Sequence, residues 1–237
     1  MTSLKRLSRL SITAETGKSA LYLVAITAVM LLILFTRDDS VARDTEAIVA
    51  YLSDYTKIPN TVTSVILVTR LFDTIGEVTV FTIAGLGVKI LLHDEDSVEK
   101  FSGVNDQAIR LLLDFAALLS CFLAIDLAVK GHLTPGGGFA SGVAGATSIT
   151  LLMITGRLKQ LESFYVATNA PALEKLAVVA FIGVALSTFA SFLHPTSAFA
   201  DIPPTIYIPA LNIIAALKVT IGSWSILRLF IIKRGVF

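Results

Sequence analysis

Long apolar runs separated by short polar segments set the pattern of this chain. A helix needs about 20 apolar residues to cross the roughly 30 Å hydrocarbon core of a bilayer. Stretches at 18–36, 61–92, 111–129, 136–154, 172–193 and 206–232 reach or approach that length. Their hydrophobicity is continuous rather than alternating, which suits helices and not the strands of a membrane barrel. The pattern predicts an all-α integral membrane protein of about six transmembrane helices. The second run is long enough to tilt or to project from the bilayer. The first follows a basic leader (Lys5, Arg6, Arg9), but its apolar part is long and no small-x-small site precedes Arg37-Asp38-Asp39. A retained helix is expected there rather than a cleaved signal.

Composition sharpens this picture. Of the 237 residues, 54% are hydrophobic and 16% charged, whereas soluble domains are about a quarter charged. The net charge of +1 offers no basic surface for nucleic acid. The single Cys121 lies in an apolar run, which excludes an internal disulfide and a cysteine-ligated zinc or iron–sulfur site. His93, His132 and His194 fall in separate segments. With the N-terminus inside, twelve lysines and arginines fall on cytoplasmic segments, against Arg37, Arg43, Lys57 and Lys130 outside. The positive-inside rule therefore predicts a multi-pass protein of the cytoplasmic membrane with both termini cytoplasmic. The charged linker His93–Lys100 divides the chain into a two-helix portion, residues 1–105, and a four-helix portion, residues 106–237.

Charged residues inside the apolar runs are the candidate chemistry. Each ionised group near the bilayer centre costs about 2.5–3.5 kcal/mol on insertion scales, and such groups are functional candidates by default. Arg70, Asp73 and Glu77 are spaced i, i+3, i+7 and so share one face of a helix. They either form an ion pair that locks this helix to a neighbour or take part in moving ions or protons. Lys218 lies in the middle of the last run. It is suited to proton relay, or else to permanent pairing with a buried carboxylate. Asn212, nearly two turns earlier, can act as a plain interhelical hydrogen-bond donor. Asp126 precedes Lys130 by four residues and Asp114 follows Arg110 by four, both read as helix-end ion pairs.

The third and fourth runs are separated by Gly131-His132-Leu133-Thr134-Pro135-Gly136-Gly137-Gly138-Phe139. Pro135 lacks a backbone donor, and three consecutive glycines are costly inside a helix. Pro135, Gly136, Gly137 and Gly138 thus mark a structural break. Irregular backbone at membrane depth is tolerated only beside protein or water. The break can aim a helix N-terminus at an ion path or let helices approach closely through small residues. No Lys-Ser/Thr follows the glycines, so this is not a nucleotide-binding loop. His132 can titrate near neutral pH or serve as an interfacial structural histidine.

The segment from Gly131 to Phe139 resembles the GHNxPGGGFxGG signature of the MnhB family, one of the membrane proteins that make up Mrp-type cation/proton antiporters. Leu133 stands in place of the asparagine and Ser141 in place of a glycine. The stretch Asn212–Gly222 resembles that family's NxxxGLKVxxG pattern. Arg70 to Val80 is similar to the RGFDTLGEITV segment at the C-terminal end of the large Mrp protein. In membrane-bound hydrogenases and related respiratory complexes that segment occurs as a small separate subunit. The resemblance implies two such units fused in one chain. It further implies an accessory subunit of a cation (Na+)/proton antiporter module with no cofactor of its own. Its expected partners are other Mrp-type subunits, or hydrogenase-like redox subunits, within the lipid bilayer. By motif, Asp73, Glu77, His132 and Lys218 are the matching polar positions.

Two functional readings stand: a transport subunit, and a structural adaptor whose buried charges hold larger subunits together. A membrane-embedded enzyme lacks support, because no nucleophile–base constellation or paired metal ligands are visible.

Overall fold

The computed structural model describes residues 21–32, 35, 42–95, 103–193 and 202–234, and among these every regular element is a helix. Helix α1 is Leu21–Leu32 and α2 is Ala42–Thr56. Helix α3, Thr61–Ser64, runs into a π-helical turn, Val65–Thr69, and α4 is Leu71–Leu91. Next come α5 (Gln107–Lys130) and α6 (Gly137–Leu152). A second π-helical turn, Met153–Arg157, leads into α7 (Leu158–Ala167). The chain closes with α8 (Ala170–Leu193) and α9 (Pro204–Arg234). Residues Met1–Ile48 form one compact unit and Val49–Phe237 a second. In the first, the described side chains of α1 are exposed. The packing below belongs to the second.

Among the described residues, five helices are long and apolar enough to span a membrane, and α1 is a shorter apolar helix. The protein is thus an all-α membrane protein with about six spans, as the hydrophobic pattern predicts. One expectation needs correction. The run 61–92 is not one helix, because the π-helical turn ends at Arg70, whose φ of −113° and ψ of 25° interrupt it before α4. Helical structure continues through α7, whose Tyr165 is buried and whose hydroxyl donates to Ser225 Oγ at 3.0 Å. Arg228 lies 4.4 Å over the Tyr165 ring and pairs with Glu162, so α7 is tied to α9 by aromatic and ionic contacts together.

Helix α9 is the axis of the unit. Half of its most apolar window is buried, against 11% for α4 and for α5. It packs closely on α6 through small residues on one α6 face. A methyl added to Gly138 would lie 2.3 Å from Asn212 O, one on Gly142 2.4 Å from Val219 Cβ, and one on Gly145 2.7 Å from Thr220 Oγ1. Only hydrogen fits at these positions. Close backbone approach of this kind drives helix association where lipid removes the hydrophobic term. Serines join α5 to α6: Ser120 Oγ donates to Ala144 O, Ser141 Oγ to Ala124 O and Ser148 Oγ to Ala117 O, at 2.7–2.8 Å. Ser141, the departure from the resembled glycine, is therefore a cross-helix donor. Phe181, Ile208, Leu211, Leu71 and Val78 form a buried cluster shared by α4, α8 and α9.

Candidate functional site

The end of α5 poses a problem that the sequence solves with side chains from elsewhere. The last carbonyls of a helix have no intrahelical partner, and in a membrane water does not satisfy them. Asn212 of α9 donates its Nδ2 to Ala128 O at 2.8 Å and to Leu127 O at 3.3 Å. Asn60 Nδ2 donates to Gly131 O at 2.9 Å and Thr134 O at 2.8 Å, and Thr63 Oγ1 also reaches Gly131 O at 2.8 Å. Asn60 serves α3 too, since its Oδ1 accepts from Thr63 N at 3.2 Å. One asparagine thus caps one helix and clasps the exit of another. Neither Asn60 nor Thr63 stands out in the sequence; an Asn-x-x-Thr at a helix start was the available signal.

The glycine break follows from this clasp. Gly136 and Gly137 take φ of 141° and 72°, a region nearly closed to other L-residues. A methyl at Gly137 would touch only Asn212 Oδ1, at 3.6 Å, so this glycine is needed for backbone conformation and not for close packing. Gly138 is the one needed for packing.

The N-terminus of α6 opens on a cavity of about 500 Å³ lined by Gly136, Gly137, Gly138 and Phe139 on one side and by Arg70, Asp73, Thr74 and Glu77 on the other, with Asn212 between them. Arg70, Asp73 and Glu77 of the second run therefore line one cavity, although Arg70 precedes α4 and only Asp73 and Glu77 lie within it. Arg70 Nε donates to Asp73 Oδ2 at 2.7 Å, and both side chains are more than half exposed. Among the described residues, Glu77 forms no ion pair within the chain, and it is exposed. Thr74 Oγ1 is buried in the same wall without a hydrogen-bond partner. The positive end of the α6 dipole on this cavity favours negative charge there.

Lys218 lies outside this cavity. Its side chain is wholly buried, and its Nζ makes no hydrogen bond to any described residue. Nζ sits 3.8 Å from Glu174 Oε1 on α8 and 3.8 Å from the centre of the Phe81 ring on α4. Glu174, missed in the sequence because it stands beside Lys175 near a run's edge, is the carboxylate that Lys218 faces. A second cavity, of about 160 Å³, is lined by Glu174, Lys175, Lys89, Thr82, Gly222 and Ser225 among others.

The remaining candidates are placed as follows. His132 lines neither cavity. Its Nδ1 is buried without a partner, and its carbonyl accepts from Asn60 N at 3.3 Å. Pro135 is exposed in the turn before α6. Asp126 and Lys130 pair at 2.5 Å as expected. Asp114 does not pair with Arg110. It accepts from Arg157 Nη2 at 2.8 Å and Thr155 Oγ1 at 3.0 Å, while Arg110 turns to Val104 O. Contact across helices prevails because the π-helical turn brings Arg157 back over α5. Among the described residues no cluster of three or more metal-ligating side chains occurs. His194 and residues 96–100 of the charged linker lie outside the described residues.

Residues 108–225 match the protein family described as a domain related to the MnhB subunit of the Na+/H+ antiporter. The fold is similar to a chain in the structure of the membrane-bound sulfane sulfur reductase, an archaeal respiratory membrane complex. Sequence identity is 23% and the TM-score 0.59, over 90% of this chain and 97% of that one. Residues 108–225 are thus similar to an MnhB-related domain, within a fold that one chain of a respiratory membrane complex also adopts.

Proposed function

We propose that this chain is an ion-path subunit of a multi-subunit cation (Na+)/proton antiporter module, with Glu77 as its principal proton- or cation-holding group. The observation that carries this reading is the shared cavity. A carboxylate and a buried hydroxyl that have no partner among the described residues converge with a helix N-terminus on one space in a membrane segment. An ion pair that only locked helices would not need an open cavity. On this reading residues 1–105 act as a unit like the C-terminal end of the large Mrp protein, and residues 106–237 as the MnhB-like unit. The partners are Mrp-type subunits, alone or joined to redox subunits of the hydrogenase or respiratory type. The charge distribution supports cytoplasmic termini.

The test is Glu77→Gln in the intact complex, with cation-linked proton flux measured in vesicles beside subunit content on a native gel. An amide cannot take up and release a proton in the working range, so flux should stop with the complex assembled. Full flux by an assembled Glu77→Gln complex returns the chain to the adaptor reading, in which its charges only hold subunits together. Orientation is checked in a Cys121-free background. A cysteine at Asp54 should react with an impermeant thiol reagent from outside, and one at Lys159 only after permeabilisation.

A further inference from the structure

The two cavities are arranged along the same pair of helices. Along α4 and the residue before it, the first is bordered by Arg70, Asp73, Thr74 and Glu77 and the second by Thr82 to Lys89. On α9 the first is bordered by Asn212 and Ala215 and the second by Gly222 to Ile226. Between them, one turn beyond Glu77 on α4 and one turn beyond Ala215 on α9, stand Phe81 and Lys218 in contact. Four residues of helix span about 6 Å, so this contact is a thin layer.

Lys218 is asymmetric toward the two spaces. The Phe81 ring covers its ammonium, and among the described residues the one carboxylate facing it is Glu174, which is 12% exposed and lines the second cavity. The gap of 3.8 Å is too long for a direct hydrogen bond, so the pair is close yet not locked. Gly222 keeps it so. A methyl there would lie 2.6 Å from Phe81 Cε1 and 2.9 Å from Glu174 Oε1. The charged groups around Glu174 are Lys218 from α9, Lys175 on its own helix and Lys89 from α4.

We infer that Glu174 and Lys218 form the proton-transfer step between the two cavities, with Glu174 the group through which Lys218 exchanges protons with the second. This rests on the transport reading above and adds a residue to it. In the step, the Lys218 ammonium gives a proton to the Glu174 carboxylate, leaving a neutral amine and a neutral carboxylic acid. The acid then releases its proton to water in the second cavity, and the amine is reprotonated from the first. Protons and charge balance, and no other reactant is required. A buried ammonium with a single unlocked partner suits this cycle. A permanently paired lysine would gain more from a direct, hydrogen-bonded geometry.

The experiment measures proton flux over a range of pH in vesicles holding the full complex, for the wild type, Glu174→Gln, Glu174→Asp and the double variant Glu174→Gln/Lys218→Met. Glu174→Gln should lower flux by about tenfold or more, and Glu174→Asp should keep part of it with a displaced pH profile. Where Glu174→Gln alone strands the buried ammonium and lowers assembly, the double variant removes both charges. Assembled and inactive, it supports the step; assembled and active, it overturns it. Independently, a hydrophobic carbodiimide should label Glu174 in the native complex, more at lower pH, and no labelling at any pH also defeats the proposal. Loss of flux in Glu77→Gln but not in Glu174→Gln rejects this step alone. Unchanged flux in both rejects the transport reading itself.

Discussion

Helices α4 and α9 both carry charge into the membrane, and they handle it in opposite ways. At the start of α4, Asp73, Glu77 and the preceding Arg70 are exposed at the surface of the isolated chain, and only 11% of the helix's apolar window is buried. On α9, Lys218 is wholly buried within the chain and faces Glu174 of α8 and the Phe81 ring. Charges left facing lipid would each cost several kcal/mol. Among the described residues, the α4 set has no partner from another helix at ion-pair distance, whereas Lys218 on α9 faces groups of its own fold.

That contrast yields predictions of graded size. The largest effect belongs to the α6–α9 seam. Gly138→Leu would drive a side chain into Asn212 O, a backbone atom that cannot yield without parting the helices. It should cost at least about 3 kcal/mol and remove the folded chain from the detergent-solubilised pool, read by size-exclusion and thermal unfolding. Gly137→Ala should cost less, about 1–2 kcal/mol from its positive φ. Equal losses at both positions would show that the seam is not the close approach described here.

Asn60→Ala comes next. It leaves the Gly131 and Thr134 carbonyls short of a donor and α3 without its cap, at a cost of about 1–3 kcal/mol. Thermal unfolding should register this, and proteolysis should become faster at the 131–136 turn. A stable, resistant variant would mean that the clasp is dispensable.

A smaller effect is expected on α4. The double change Arg70→Gln/Asp73→Asn removes an exposed, mutually neutralising pair, worth about 0–1 kcal/mol to the isolated chain. Its consequence should appear on assembly with the neighbouring subunits, measured on a native gel. A large drop in the stability of the chain alone would break the contrast between the two helices. The smallest effect is Asp126→Asn. This partly exposed i, i+4 pair with Lys130 should change unfolding by no more than about 0.5 kcal/mol.

The amino-acid sequence determined the spans, because the thickness of a bilayer imposes a length on apolar runs whatever they pack against. The runs at 111–129, 172–193 and 206–232 fall inside α5, α8 and α9 for that reason. The sequence also marked Asp73, Glu77, Lys218 and the triple glycine as anomalies, since charge and backbone freedom are conspicuous against an apolar background. Only the tertiary structure decided their partners. Glu174 meets Lys218 across 44 positions of chain, and Asn60 reaches Gly131 across 71. No helical periodicity encodes such pairings. Local spacing even misled at Asp114, where Arg157 on a distant turn prevails over Arg110 one turn away. The two glycines divided in the same manner: φ at Gly137 is a local property of the turn, but the need for bare hydrogen at Gly138 arises from where α9 lies. Hydrophobic length is written along one helix, whereas a charge is satisfied only by what the fold brings beside it.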